Sequence, residues 1–162
     1  MNNRLIFGLT YGSAIGCGLM SGLFFTFSVF MMRALDRLPA PQGIAAMQST
    51  NKTIQTPLFF LAFMGTTISC LVLAGLAVVK LDGPTRTWVI AGCALYLVGA
   101  FLMTVGYHVP RNEHLDTLNP DTAEAARYWT GFVKNWTLWN HVRTVASLGA
   151  MSSLIMAIRI GS

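Results

Sequence analysis

The sequence predicts an all-α fold: an integral-membrane four-helix bundle with amphipathic interfacial helices in the first and third connections. Three observations predict it. First, the stretches Leu5–Met32, Pro57–Val79, Thr87–Val109 and Thr144–Ile158 contain no Asp, Glu, Lys or Arg, and a bilayer core asks for about 20 mainly apolar residues per helix. Second, 54% of the residues are hydrophobic and only 10% charged, where an ordinary soluble domain carries about 25% charge. Third, the basic residues of this +5 chain sit mostly at the ends of the runs: Arg4, Arg33, Arg37, Lys52, Lys80, Arg86, Arg111, Arg143 and Arg159. That is interfacial anchoring, and it excludes the clustered basic face that nucleic-acid binding needs. Spans at about 5–32, 57–79, 87–109 and 138–158 use up the 162 residues as one transmembrane domain.

The first span starts like a signal peptide, with Arg4 before an apolar run, but the run continues to Met32 and so reads as an uncleaved helix. Gly8, Gly12 and Gly16 form a ribbon at fourfold spacing, where helix backbones approach closely in lipid. Its partner is either another span or a second copy in a homo-oligomer. Phe24, Phe25, Phe27 and Phe30 follow, either as core or lipid contact or as the wall of a flat apolar ligand site.

In the first connection, Pro39 and Pro41 break the helix. Ile44, Met47, Gln48, Asn51, Ile54 and Gln55 then recur at helical spacing, as in a short amphipathic surface helix. Pro57 suits the first turn of the second span. The segment from Lys80 to Arg86 is a tight turn into the third span, which should end near Val109 because Pro110 interrupts it. Asn119-Pro120-Asp121 reads as a helix start, Asn as cap and Pro at the first helical position. From Ala123 onward one helix can run straight into the fourth span. Cys17, Cys70 and Cys93 all lie within spans and are odd in number, so they read as buried free thiols.

With four spans, both termini and the 80–86 turn share one side, and the two longer connections share the other. His108 ends the third span and His141 precedes the fourth uncharged run, which brings them to similar depth. Asn51, Asn112, His114, Trp136, Asn140 and Arg143 gather on that same side. The density of basic residues on the short segments favours cytoplasmic termini, and the raw count on the longer connections favours the reverse. The density sets the expectation of termini in the cytoplasm, the bilayer being that of a bacterial inner membrane.

Trp136, Asn140 and Arg143 fall on one helical face, with His141 about 100° away from Asn140. Polar groups in the first turns of a span are costly unless they face the bundle interior or a wet cavity, so they mark a functional site. Trp139 reads as an interfacial belt residue. His108, His114 and His141 would be the ligand set if a metal were bound, but their spacing matches no strong metal signature and no cofactor is expected. A Gly-rich phosphate loop, a Cys pair and a nucleophile elbow are all missing from the sequence.

At these residues the chain resembles the anthrone oxygenase-like family of small four-span membrane proteins. The likeness rests on Ser28-Val29-Phe30-Met31-Met32, on Ala46-Met47-Gln48 with Asn51, and on Val109-Pro110-Arg111-Asn112. Leu115, Trp129, Trp136 and the block Trp139-Asn140-His141-Val142-Arg143 complete it, while Arg33 stands where the family pattern has Pro. The resemblance implies oxidation of an anthrone, a hydrophobic aromatic substrate, by O₂ without a cofactor. Carried onto this chain, His108 or His141 would remove the substrate proton. Asn112 and Asn140 would donate to the oxyanion with help from Arg143, and Phe27, Trp129 and Trp136 would bracket the rings beside Asn51. The competing readings are a non-catalytic accessory or small-ligand-binding membrane protein, whose Asn/Arg cluster locks the bundle, and a His-based metalloenzyme.

Overall fold

The computed structural model describes residues 4–161, and among them every regular element is helical. Four helices are long and apolar enough to cross a membrane: α1 (Arg4–Asp36), α3 (Pro57–Lys80), α4 (Gly83–Thr117) and α5 (Ala123–Gly161). A shorter helix, α2 (Ala40–Thr53), fills the first connection. The spans close a square in which α1 packs on α3 and α5, and α4 packs on the same two.

Local chemistry explains most of the boundaries. Pro39 caps α2, and Pro41 lies in its first turn, where a missing N–H costs nothing. Thr56 caps α3 by accepting from the Phe59 amide at 3.2 Å. The turn into α4 needs Gly83, whose φ of +58° is open to glycine at little cost.

Three details depart from the sequence reading. α1 continues one turn past Met32 to Asp36. α4 does not stop at Val109 but passes through Pro110 to Thr117, so the third connection has no separate surface helix. The turns at Thr104–His108 are widened, the Val109 amide reaching five residues back to the Thr104 carbonyl. Such π-type turns absorb the missing N–H and the bulk of a proline ring without breaking the helix. Finally, Asn119 is not the cap of α5. Its Oδ1 accepts from the Asp121 amide at 3.1 Å in a local turn, and Thr122 caps instead, accepting from the Ala125 amide at 3.2 Å.

The core has two parts. Cys17, Cys70 and Cys93, all free and buried, pack with Ile6, Leu73, Tyr96 and Leu154 at the centre of the four spans. Around the second part, Met32, Ile44, Met47, Leu115, Trp129 and Phe132 tie α2 to the ends of α1 and α4 and to α5. The glycine ribbon divides between two environments. A side chain at Gly16 would strike Thr66 of α3, whereas Gly8 and Gly12 face open space. α5 has 39 residues, about 58 Å at 1.5 Å per residue and so longer than a hydrocarbon core of about 30 Å. Its first half therefore extends beyond the span beside α2.

Candidate active site

A cavity of about 500 Å³ opens between α1, α2, α3, α4 and α5, within the roughly 300–1,000 Å³ range of small-molecule sites. Its walls are mainly aromatic: Phe24 and Phe27 from α1, Phe59, Phe60 and Phe63 from α3, and Phe101 from α4. Polar groups enter from one helix in particular. Thr104, His108, Asn112 and Asp116 follow one another at fourfold spacing along α4, with Phe101, Val105, Val109 and Glu113 beside them. The continuous passage through Pro110 keeps this stripe on one face.

Arg143 is the most unusual group lining the cavity. It is only 5% exposed, and among the described residues no carboxylate lies within ion-pair distance of it. Its guanidinium is clamped between the rings of Phe24 (4.4 Å) and Trp136 (5.0 Å). Nη1 donates to Thr104 Oγ1 at 3.1 Å and Nη2 to Asn140 Oδ1 at 2.7 Å, while Nε–H is buried without a partner. A buried cation without a counter-ion costs several kcal/mol, so the guanidinium favours an anionic or strongly accepting oxygen in the adjoining cavity.

His108 is 1% exposed and lies one turn along α4 from Thr104. Its Nδ1 is 3.1 Å from the Met103 carbonyl and its Nε2 3.4 Å from the Trp136 carbonyl. The Trp136 ring stands edge-on to the imidazole at 5.0 Å and donates Nε1–H to Asn112 Oδ1 at 2.9 Å. That bond engages the amide oxygen of Asn112, a residue that lines the cavity.

Asn140 does not line the cavity. Its NH₂ donates to the Phe24 carbonyl and to Ser28 Oγ, both at 2.7 Å, and its oxygen receives Arg143. Ser28 pairs with Thr144 at 3.0 Å, completing a dry seam between α1 and α5. Asn140 thus locks the bundle and aims Arg143, with no donor left for an oxyanion. At the exposed end Asn51 donates to Asp116 Oδ1 at 3.2 Å, and Gln55 donates to the Asn51 carbonyl at 3.1 Å.

Of the residues expected at the site, Asn51, Phe27, His108, Asn112, Trp136 and Arg143 come together around this cavity, with Asn140 directly behind Arg143. His141 is exposed in a separate groove with Arg33, Asp36 and Lys134. Trp129 is buried against Phe132 and α2, away from the cavity. His114 stands edge-on to Tyr128 at 4.7 Å, and among the described residues no three of His, Cys, Asp and Glu assemble as metal ligands. The sequence reading gave no substrate-pocket role to Thr104, Glu113, Asp116, Phe59, Phe63 and Phe101. The i, i+3, i+4 stripe on α4 was the signal for four of them, hidden by treating Pro110 as a stop.

Fold and cavity together define a four-span membrane protein with an aromatic-walled pocket around a buried histidine and an unpaired buried arginine. The chain belongs to the anthrone oxygenase family, whose pattern it matches over residues 59–153. The matched stretch contains α3, α4 and the part of α5 that carries Trp136, Asn140 and Arg143. No curated protein and no solved structure matches the chain.

Proposed function

We propose that the cavity oxidises a planar, lipid-soluble aromatic ketone of the anthrone type with O₂. The carrying observation is the buried, unpaired Arg143 beside His108 in an aromatic slot. The overall change converts a ring CH₂ to a carbonyl: R₂CH₂ + O₂ → R₂C=O + H₂O. Carbon loses four electrons and dioxygen gains them, so no external reductant enters the balance.

In the tautomer that donates through Nδ1 to the Met103 carbonyl, Nε2 of His108 carries the lone pair and acts as base by turning from the Trp136 carbonyl, 3.4 Å away, toward the substrate. It takes one CH₂ proton, and the electron pair delocalises onto the ketone oxygen as an enolate. Arg143 and the Asn112 NH₂ stabilise that oxygen as its charge develops, between largely apolar walls. The carbanion form reacts with O₂ to give a C–O bond and a peroxide. The proton held on His108 goes to the distal peroxide oxygen, and loss of the second C–H proton cleaves the O–O bond. Water leaves and the new carbonyl remains. Phe24, Phe27, Phe59 and Phe63 supply flat contact for the rings, and Asn51, Glu113 and Asp116 give a polar exit for water and protons.

Labelled dioxygen tests the reaction. With ¹⁸O₂, one labelled atom is expected in the new carbonyl and the other in water, with one O₂ consumed per quinone. Accumulation of hydrogen peroxide with a carbonyl oxygen drawn from water would refute an oxygenase and indicate a two-electron oxidase.

A further inference from the structure

The cavity also has an apolar rim, where α3 and α4 part. α3 and α4 pack together from their connecting turn as far as the Leu97–Leu102 stretch of α4, and then part. Phe63 against Phe101, with ring centroids 5.8 Å apart, forms the floor where they separate. Around it, two side chains on each helix both line the cavity and are exposed. These are Phe60 (47% exposed) and Met64 (38%) on α3, and Val105 (48%) and Val109 (38%) on α4. Each pair is spaced four residues apart, one above the other on its helix. The widened turns at Leu97–Leu102 and Thr104–His108 coincide with the stretch where α4 leaves α3, and such turns redirect helices.

All four rim residues are apolar, so this opening has no groups to hold water, unlike the polar end at Asn51, Gln55 and Glu113. Resting on the functional reading above, we infer that the cavity takes its substrate sideways from the membrane through the α3–α4 slot, and that Val105 and Met64 set which ring systems pass. The ligand class is therefore a flat, uncharged polycyclic ketone dissolved in the acyl chains. A molecule carrying a fixed charge, held at the water interface, would be excluded. The two openings divide the traffic: apolar rings through the slot, water and protons through the polar end.

The test uses the full chain in phosphatidylcholine nanodiscs, with anthraquinone binding read by quenching of its native tryptophan fluorescence. Val105→Cys is modified with a bulky benzyl methanethiosulfonate, which the native cysteines, all buried, do not reach. Val98→Cys, on the outer face of the same helix but not on the cavity, receives the same label as control. The expected result is binding at least about tenfold slower for labelled Val105→Cys, a barrier of about 1.4 kcal/mol, restored by dithiothreitol and absent at Val98→Cys. Anthraquinone sulfonate should quench weakly in every variant. Unchanged binding in the labelled Val105→Cys protein, equal loss at Val98→Cys, equal quenching by the sulfonate, or no anthraquinone quenching of the wild type would each overturn the slot. Because the readout is binding, a protein that binds through the slot yet fails to oxidise an anthrone would sink the oxygenase reading alone.

Discussion

Arg143 keeps two side-chain acceptors, Thr104 and Asn140, and one unpartnered Nε–H. Hydrogen bonds to charged groups contribute about 1.5–3 kcal/mol. Asn140→Leu should therefore lower both thermal stability and turnover, since it strands the guanidinium, the Phe24 carbonyl and Ser28 together. A loss of about 2 kcal/mol in detergent-solubilised protein is the expected outcome, measured by thermal unfolding alongside kcat. His108→Ala should reduce kcat by about 10²–10⁴ as a general base is lost, while His141→Ala, in its exposed groove, should leave kcat within about twofold of wild type, as surface substitutions usually do. At this scale the sequence was informative about which residues gather but not about what each does. The three-residue spacing of Asn140 and Arg143 predicts their contact. That Asn140 spends its donors on α1 depends on how α1 packs across α5, which no local pattern in α5 records. His141 was expected from its depth beside His108, but its turn of about 100° from Asn140 carries it to the groove with Arg33 and Lys134.

Helix packing is tested most directly on α1. Gly16→Leu should destabilise the bundle by about 1–3 kcal/mol because Thr66 of α3 occupies the space. Gly12→Leu meets open space and should be close to neutral when both are compared by thermal unfolding in the same detergent. The regularity of the four apolar runs made the spans readable, because lipid leaves the backbone no alternative to internal hydrogen bonding. Their ends were harder. Pro110 ordinarily stops a helix, and only the widened turn before it lets α4 continue to Thr117 and carry Asn112, Glu113 and Asp116 to the cavity. Asn119 and Thr122 are both sound caps by residue type. The choice between them was decided by the local turn at Asn119, and the start of α5 moved by three residues.

For the whole molecule, the topology brings the polar ends of α4 and α5 to one side, with α2 laid across them. That gathering follows from counting spans, and the sequence carried it fully. The cavity did not follow from counting, because it exists where α3 and α4 diverge, a consequence of helix direction rather than composition. Its aromatic wall draws on four helices, so no single segment advertises it. The central claim is that His108 and Arg143 convert this space from a ligand pocket into a reaction centre. The most direct test is the initial rate of quinone formation from an anthrone under air, in nanodiscs holding wild type, His108→Ala or Arg143→Gln, each compared with protein-free nanodiscs. Wild type should exceed the spontaneous rate by at least about a hundredfold, with both variants falling toward the background. A wild-type rate equal to that of bare lipid, or one untouched by either substitution, would contradict it.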